Sequence, residues 1–74
     1  MTRKPVESSN IISIGHDGKN TLEVEFKRGG IYQYSPVSKE GFIQLQQAES
    51  VGKYFNENIK NNEAINLNKM GSDI

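Results

Sequence analysis

The stretch TLEVEFKRGGIYQYS, residues 21–35, restricts the fold of this chain more than any other part of it. Leu22, Val24 and Phe26 alternate with Glu23, Glu25 and Lys27, the pattern of a strand with one buried face and one wetted face. Tyr32 and Tyr34 follow a glycine pair and point to the same side of a second strand, because strand side chains alternate. Parity then decides the pairing. A two-residue loop at Arg28-Gly29 or at Gly29-Gly30 would set apolar side chains against the wrong face of the next strand. A three-residue loop, Arg28-Gly29-Gly30, places Phe26 opposite Tyr32 and Val24 opposite Tyr34, with Gly30 in the left-handed conformation on which such loops end. The expected hairpin carries Leu22, Val24, Phe26, Tyr32 and Tyr34 on one face.

Upstream, SNIISIGH reads as a first strand with Ile12 and Ile14 on one side and Ile11 and Ser13 on the other. HDGKNT is turn chemistry. A tight Asp17-Gly18 turn would put Ile14 beside the charged face, so the expected loop is longer, residues 17–21. After Pro36 the period changes. Phe42, Leu45 and Ala48 recur at helical spacing behind Ser38 as N-cap, and Gly41 weakens that helix by about 1 kcal/mol relative to alanine. Val51, Tyr54, Phe55 and Ile59 form a second helical stripe behind Ser50 as N-cap. The short Ala48-Glu49-Ser50 junction makes the two helices meet at a sharp angle.

These signals specify an α+β domain over residues 8–60: a three-stranded antiparallel sheet followed by two short helices on one face, in the order β-β-β-α-α. The expected core is Leu22, Val24, Phe26, Tyr32, Tyr34, Phe42, Leu45, Tyr54, Phe55 and Ile59. Residues 1–7 read as a flexible arm. Residues 61–74 are asparagine-rich and lose any steady period. Ile65 and Leu67 offer an edge strand or a surface cover, but the tail as a whole reads as disordered or as ordered by a partner.

Size and composition exclude several classes. A chain of 74 residues makes one small domain with a thin core, which leaves self-association open. Without cysteine there is no disulfide, thiolate metal site or cysteine nucleophile, and a reducing compartment is expected. The start has no apolar run of the secretory kind, and no apolar stretch approaches the roughly 20 residues of a membrane span. The expectation is a cytoplasmic protein without a membrane partner. Between Ser8 and Lys60 six basic residues (Lys19, Lys27, Arg28, Lys39, Lys53, Lys60) meet six acidic ones (Asp17, Glu23, Glu25, Glu40, Glu49, Glu57). A protein that neutralises many phosphates usually carries a basic surplus, so strong sequence-independent nucleic-acid binding is disfavoured.

Few residues invite chemistry. His16 has Asp17 beside it, but neighbours on a strand point apart and no further nitrogen ligand is near, so the pair reads as polar residues flanking a turn. At Ser50-Val51-Gly52-Lys53 a helix start, a glycine and a cation could hold a phosphate or carboxylate, or Ser50 simply caps its helix while Gly52 permits close packing on the first helix. Lys27 and Arg28 at the hairpin tip, with Lys53, Lys60 and the arm residues Arg3 and Lys4, offer a modest phosphate-contacting surface or a solvated loop. The sheet face away from the helices would show Glu23, Glu25, Lys27, Ile31 and Gln33, a poor platform for stacking bases. With no Ser/His/Asp set, phosphate loop or metal-ligand cluster, no catalytic residue, cofactor or metal is expected.

The order of signals, with SSNI near the start, LEVEF, GGIYQY and then AESVGKYFNENI, resembles the KTSC domain family. That family occurs at the C-terminus of some lysyl-tRNA synthetases and as stand-alone bacterial and phage proteins. Its central Tyr-x-Tyr pair is matched by Tyr32 and Tyr34, and its Ala-x-Ser-x-Gly-x-Tyr/Phe stretch by Ala48, Ser50, Gly52, Tyr54 and Phe55. The resemblance runs from about Ser8 to Lys60; His16 departs from it, standing where the family commonly has tyrosine. It implies a non-enzymatic module that binds RNA or single-stranded nucleic acid, here through Lys27, Arg28, Lys53 and Lys60 rather than by stacking on the tyrosines. The alternative is a protein-interaction module of a phage or mobile element, docking on a host or cognate protein through a free sheet edge.

Overall fold

A computed structural model describes residues 2–70 and shows one antiparallel sheet whose five strands lie side by side in chain order. They are β1 (Arg3–Pro5), β2 (Ile11–His16), β3 (Leu22–Phe26), β4 (Ile31–Ser35) and β5 (Asn66–Met70). Two helices, α1 (Lys39–Gln47) and α2 (Val51–Phe55), lie between β4 and β5 in the chain, and α2 runs on into a wider turn, Asn56–Lys60. In that turn Asn61 N–H reaches back five residues to the Asn56 carbonyl, at 3.1 Å.

The sheet thus has five strands where three were expected, and the additions come from the segments read as an arm and a tail. β1 pairs Arg3 with Gly15 and Pro5 with Ser13. Proline is tolerated there because an edge strand has a side that needs no ladder hydrogen bond. β5 pairs Leu67 with Tyr34 and Asn68 with Gln33. Asparagine is a weak strand former, but without β5 the outer edge of β4 would present a row of unpaired N–H and C=O groups. Backbone pairing outweighs local preference here. Residues 71–74 of the segment read as a tail lie outside the described residues.

The central hairpin has the expected faces in a different register. Val24 pairs with Tyr32 and Leu22 with Tyr34, two residues from the expected alignment, so parity and therefore facing are preserved. The loop is Lys27-Arg28-Gly29: Gly29 N–H bonds the Phe26 carbonyl at 3.0 Å and Phe26 N–H bonds Gly30 O at 3.2 Å. Gly29, at φ 101°, takes the left-handed position first assigned to Gly30, and Gly30 is itself at φ 97°. The loop between β2 and β3 spans 17–21 as expected, since His16 pairs with Leu22. Asp17 closes it: its Oδ1 accepts from the N–H groups of Lys19, Asn20 and Thr21 at 2.8, 3.1 and 3.1 Å. Those bonds, Lys19 first, hold the Asp17 carboxyl below the usual aspartate value.

β2 departs from simple alternation. Ile11 pairs with Phe26 but Ser13 with Glu25, so Ile12 is the extra residue of a bulge. Ile11 and Ile14 both enter the core, at 1% and 0% exposure, while Ile12 is 40% exposed. The expected grouping of Ile12 with Ile14 fails for that reason. Ile11, Ile14, Leu22, Val24, Tyr34, Val37, Leu45, Val51, Phe55 and Ile59 form the buried cluster; Phe26, Tyr32, Phe42 and Tyr54 of the expected core pack against it only partly buried. Both helix caps stand where the sequence puts them: Ser38 Oγ accepts from Gly41 N–H at 3.0 Å, and Ser50 Oγ from Lys53 N–H at 3.2 Å.

On the other face of the sheet the charges are tied to one another. Arg3 pairs with Glu23 and donates to Ser13 Oγ at 3.1 Å; Ser13 donates to Glu25 at 2.9 Å, and Gln33 to Glu23 at 3.0 Å. β1 is therefore anchored by a side-chain network as well as by its ladder. Its approach also depends on Gly15, where a Cβ would lie 2.6 Å from the Thr2 carbonyl oxygen and 3.0 Å from Arg3 Cγ. Gly15→Ala is expected to push β1 off β2 and cost about 1–3 kcal/mol. The check is a lower urea midpoint, together with lost hydrogen-exchange protection along β1.

Candidate functional site

A concavity lies between the β3–β4 hairpin and the far end of α2. It encloses about 540 Å³ and is lined by Asn10, Ile11, Phe26, Arg28, Gly29, Tyr32, Tyr34, Gly52, Phe55, Asn56, Lys60 and Leu67. A second cleft of about 400 Å³ adjoins it across Asn10, Gly52 and Asn56, and adds Ser8, Ser9, Ser50, Lys53 and Glu57.

The sequence candidates divide between these two clefts. Arg28 reaches the large cleft from the hairpin tip and Lys60 from the last turn of the helix, although 32 positions separate them in the chain. Ser50 and Lys53 line the smaller cleft, and Gly52 belongs to both. Lys27 lines neither; its N–H donates to the Asn10 carbonyl at 2.9 Å and its side chain is exposed. The start of α2 holds no spare donor at Lys53 N–H, because Ser50 takes it. Gly52 does permit a close approach, but to Ser8 rather than to α1: a Cβ at that position would sit 3.2 Å from Ser8 Oγ.

The charges of the two clefts differ. Among the described residues that line it, the large cleft has two cations, Arg28 and Lys60, and no carboxylate. The smaller one sets Glu57 against Lys53. Among the described residues no carboxylate lies within ion-pair distance of Arg28, Lys53 or Lys60; the ion pairs are those of Arg3 with Glu23 and Glu25. A locally cationic cleft therefore sits on a chain with no net charge.

The aromatic residues of the hairpin face form a wall of the same cleft. Phe26 meets Tyr32 edge-on with centroids 5.5 Å apart, and Tyr34 meets Phe55 edge-on at 5.0 Å. Tyr34 is only 6% exposed, yet its hydroxyl makes no hydrogen bond to a described residue, and no fully buried polar side-chain atom in the described part lacks a partner. Tyr34 is among the residues that line the cleft. Burial, with a smaller contribution from the neighbouring Tyr32, pushes the Tyr34 phenol up to about 12. A raised phenol stabilises the fold fully below the ordinary tyrosine value and loses that contribution as pH rises through the folded one. Stability is expected to fall between roughly pH 10 and 12, and to fall less in Tyr34→Phe, as read from urea midpoints.

What the sequence reading separated, the fold joins: the tyrosines counted as core share a cleft with the cations counted as a surface. Asn10 and Asn56 escaped notice because nothing in a lone asparagine distinguishes a site residue from a loop residue. The one available signal was parity, which put Tyr32 and Tyr34 on the helix-bearing face where Arg28 and Lys60 also converge.

His16 lies elsewhere and is structural. Its ring stacks on Phe42 at 5.3 Å, Nε2 donates to the Val37 carbonyl at 2.6 Å and Nδ1 accepts from Gly18 N–H at 3.0 Å. Among the described residues no three His, Asp or Glu side chains gather as a metal site would require, and no helix is long and apolar enough to cross a membrane.

Comparison with known proteins places this architecture. The family model for the KTSC domain matches residues 7–62. The chain is 39% identical over 61 residues to an uncharacterized protein of Stutzerimonas stutzeri, covering 81% of this chain and 86% of that one. It is 40% identical over 58 residues to a protein of Tsukamurella paurometabola, covering 77% and 87% respectively. The crystal structure of a KTSC domain protein from Yersinia pestis superposes with a TM-score of 0.86 at 38% identity, covering 95% of this chain and 97% of that one.

Proposed function

The chain belongs to the KTSC domain family, and from that premise we propose that it is a non-enzymatic module that binds RNA or single-stranded nucleic acid in the cleft between the β3–β4 hairpin and α2. The observation that carries this reading is the convergence of Arg28 and Lys60, without a carboxylate, on a cleft walled by aromatic rings. Single-stranded nucleic acid is held by cations for the phosphates and ring faces for the bases. Here only the partly buried Tyr32 and Phe26 have ring surface to give, which departs from the expectation that the tyrosines take no part in stacking. Lys53 in the adjoining cleft extends the cationic track along the helix, and Lys27 stands outside it. The balance of charge over the whole chain fits modest rather than tight affinity.

The test is titration of isotope-labelled protein with a mixed-sequence RNA and a single-stranded DNA at two salt concentrations, following backbone amides. Shifts should centre on Arg28, Asn56 and Lys60 and weaken steeply with salt. With three phosphate contacts, log K should fall against log salt with a slope of about −2. Absence of any shift at low salt would sink the reading and leave docking on a protein through the β5 edge.

A further inference from the structure

Resting on the nucleic-acid reading, we infer that the large cleft is a pocket for one unstacked nucleotide, its base against Tyr32 and its phosphate held by Arg28 and Lys60. Four observations converge on this ligand class. The volume, about 540 Å³, falls within the range of small-ligand clefts, and the cleft stands half open to solvent. The cations and the aromatic wall belong to the same enclosure, so a ligand filling it must be both anionic and planar. Asn10 and Asn56 line the cleft, and their side-chain amides make no hydrogen bond to a described residue, so each has a donor and an acceptor to offer a base edge. Tyr34, only 6% exposed, lines the cleft, and its hydroxyl makes no hydrogen bond to a described residue. At neutral pH a phenol carries its proton, so the hydroxyl can act as a donor.

No smaller group meets all of these demands. Inorganic phosphate would satisfy the cations and leave the aromatic wall bare. A neutral aromatic would do the reverse. A nucleoside monophosphate supplies both.

The experiment is amide-shift titration of the 74-residue chain with adenosine 5′-monophosphate, uridine 5′-monophosphate, inorganic phosphate and a single-stranded oligonucleotide. The expected result is saturable shifts at Arg28, Tyr32 and Lys60 with either monophosphate, at least roughly tenfold tighter than with phosphate. Tyr32→Leu, which keeps an apolar side chain against Phe26, should weaken the monophosphates about 5- to 100-fold and leave phosphate unchanged. Tyr34→Phe removes one hydroxyl from a packed ring and should weaken them several-fold without disturbing the fold. If the oligonucleotide binds but the monophosphates do not, or if phosphate binds as tightly as they do, the pocket assignment is overturned while the broader reading survives. If neither oligonucleotide nor monophosphate binds, both fall.

Discussion

Phe55→Ala is expected to remove about 3–5 kcal/mol of stability, the usual cost of deleting a buried phenyl ring. Phe55 is 1% exposed and is the ring on which the two layers meet: Tyr34 of β4 stands edge-on to it at 5.0 Å and Phe26 of β3 at 5.7 Å. The gap left behind cannot collapse easily, because the sheet side is held by its ladder and the helix side by the turn into Asn56–Lys60. A domain of 74 residues has roughly 4–11 kcal/mol to lose, so the variant sits close to unfolding at room temperature. Urea denaturation followed by circular dichroism is the check. A loss below about 1 kcal/mol would mean that the helical layer contributes little to holding the sheet.

The second large effect falls on binding. Arg28→Gln combined with Lys60→Gln should weaken oligonucleotide affinity on the order of 100-fold at low salt, since each removed cation gives up a charge-assisted contact. The salt slope should become shallower by about 1.4, the share of two phosphates on a single strand. Both side chains are exposed and neither makes an ion pair with a described residue, so the fold should be untouched. Lys39→Gln with Lys19→Gln, at exposed positions that line neither cleft, serves as the control for net charge. Equal losses in the two double variants would show attraction to the chain as a whole rather than to the cleft.

How much of this was legible in the residues can be judged element by element. The faces of β3 and β4 were, because parity survives a register error of two; the exact pairing was not, because which glycine takes the left-handed position depends on the turn as a whole. Both helix starts were, since Ser38 and Ser50 cap by local geometry alone. β1 and β5 were not. Their strands owe little to side-chain pattern and much to the unpaired edges of β2 and β4, which no local window can see. The bulge at Ile12 was hidden for a related reason: alternation cannot show which of two adjacent isoleucines is the extra one. Of the site, the cations were legible as residue types, but their convergence with Tyr32 and Tyr34 depends on chain reversals far from either group.

The chain-order arrangement of the sheet also has a kinetic side. β2, β3 and β4 are joined by loops of five and three residues, so their hairpins close at little entropic cost and can form early. β5 is different: pairing Asn66 with Ser35 closes a loop of about 30 residues, which costs more entropy than either hairpin. Leu67, which lines the large cleft and is still 54% exposed, arrives with that strand. An edge strand with so little buried area belongs to the least stable cooperative unit of a fold. The Leu67 side of the cleft is therefore expected to form late and to exchange its backbone amides sooner than β3 does, as hydrogen exchange along β5 would show.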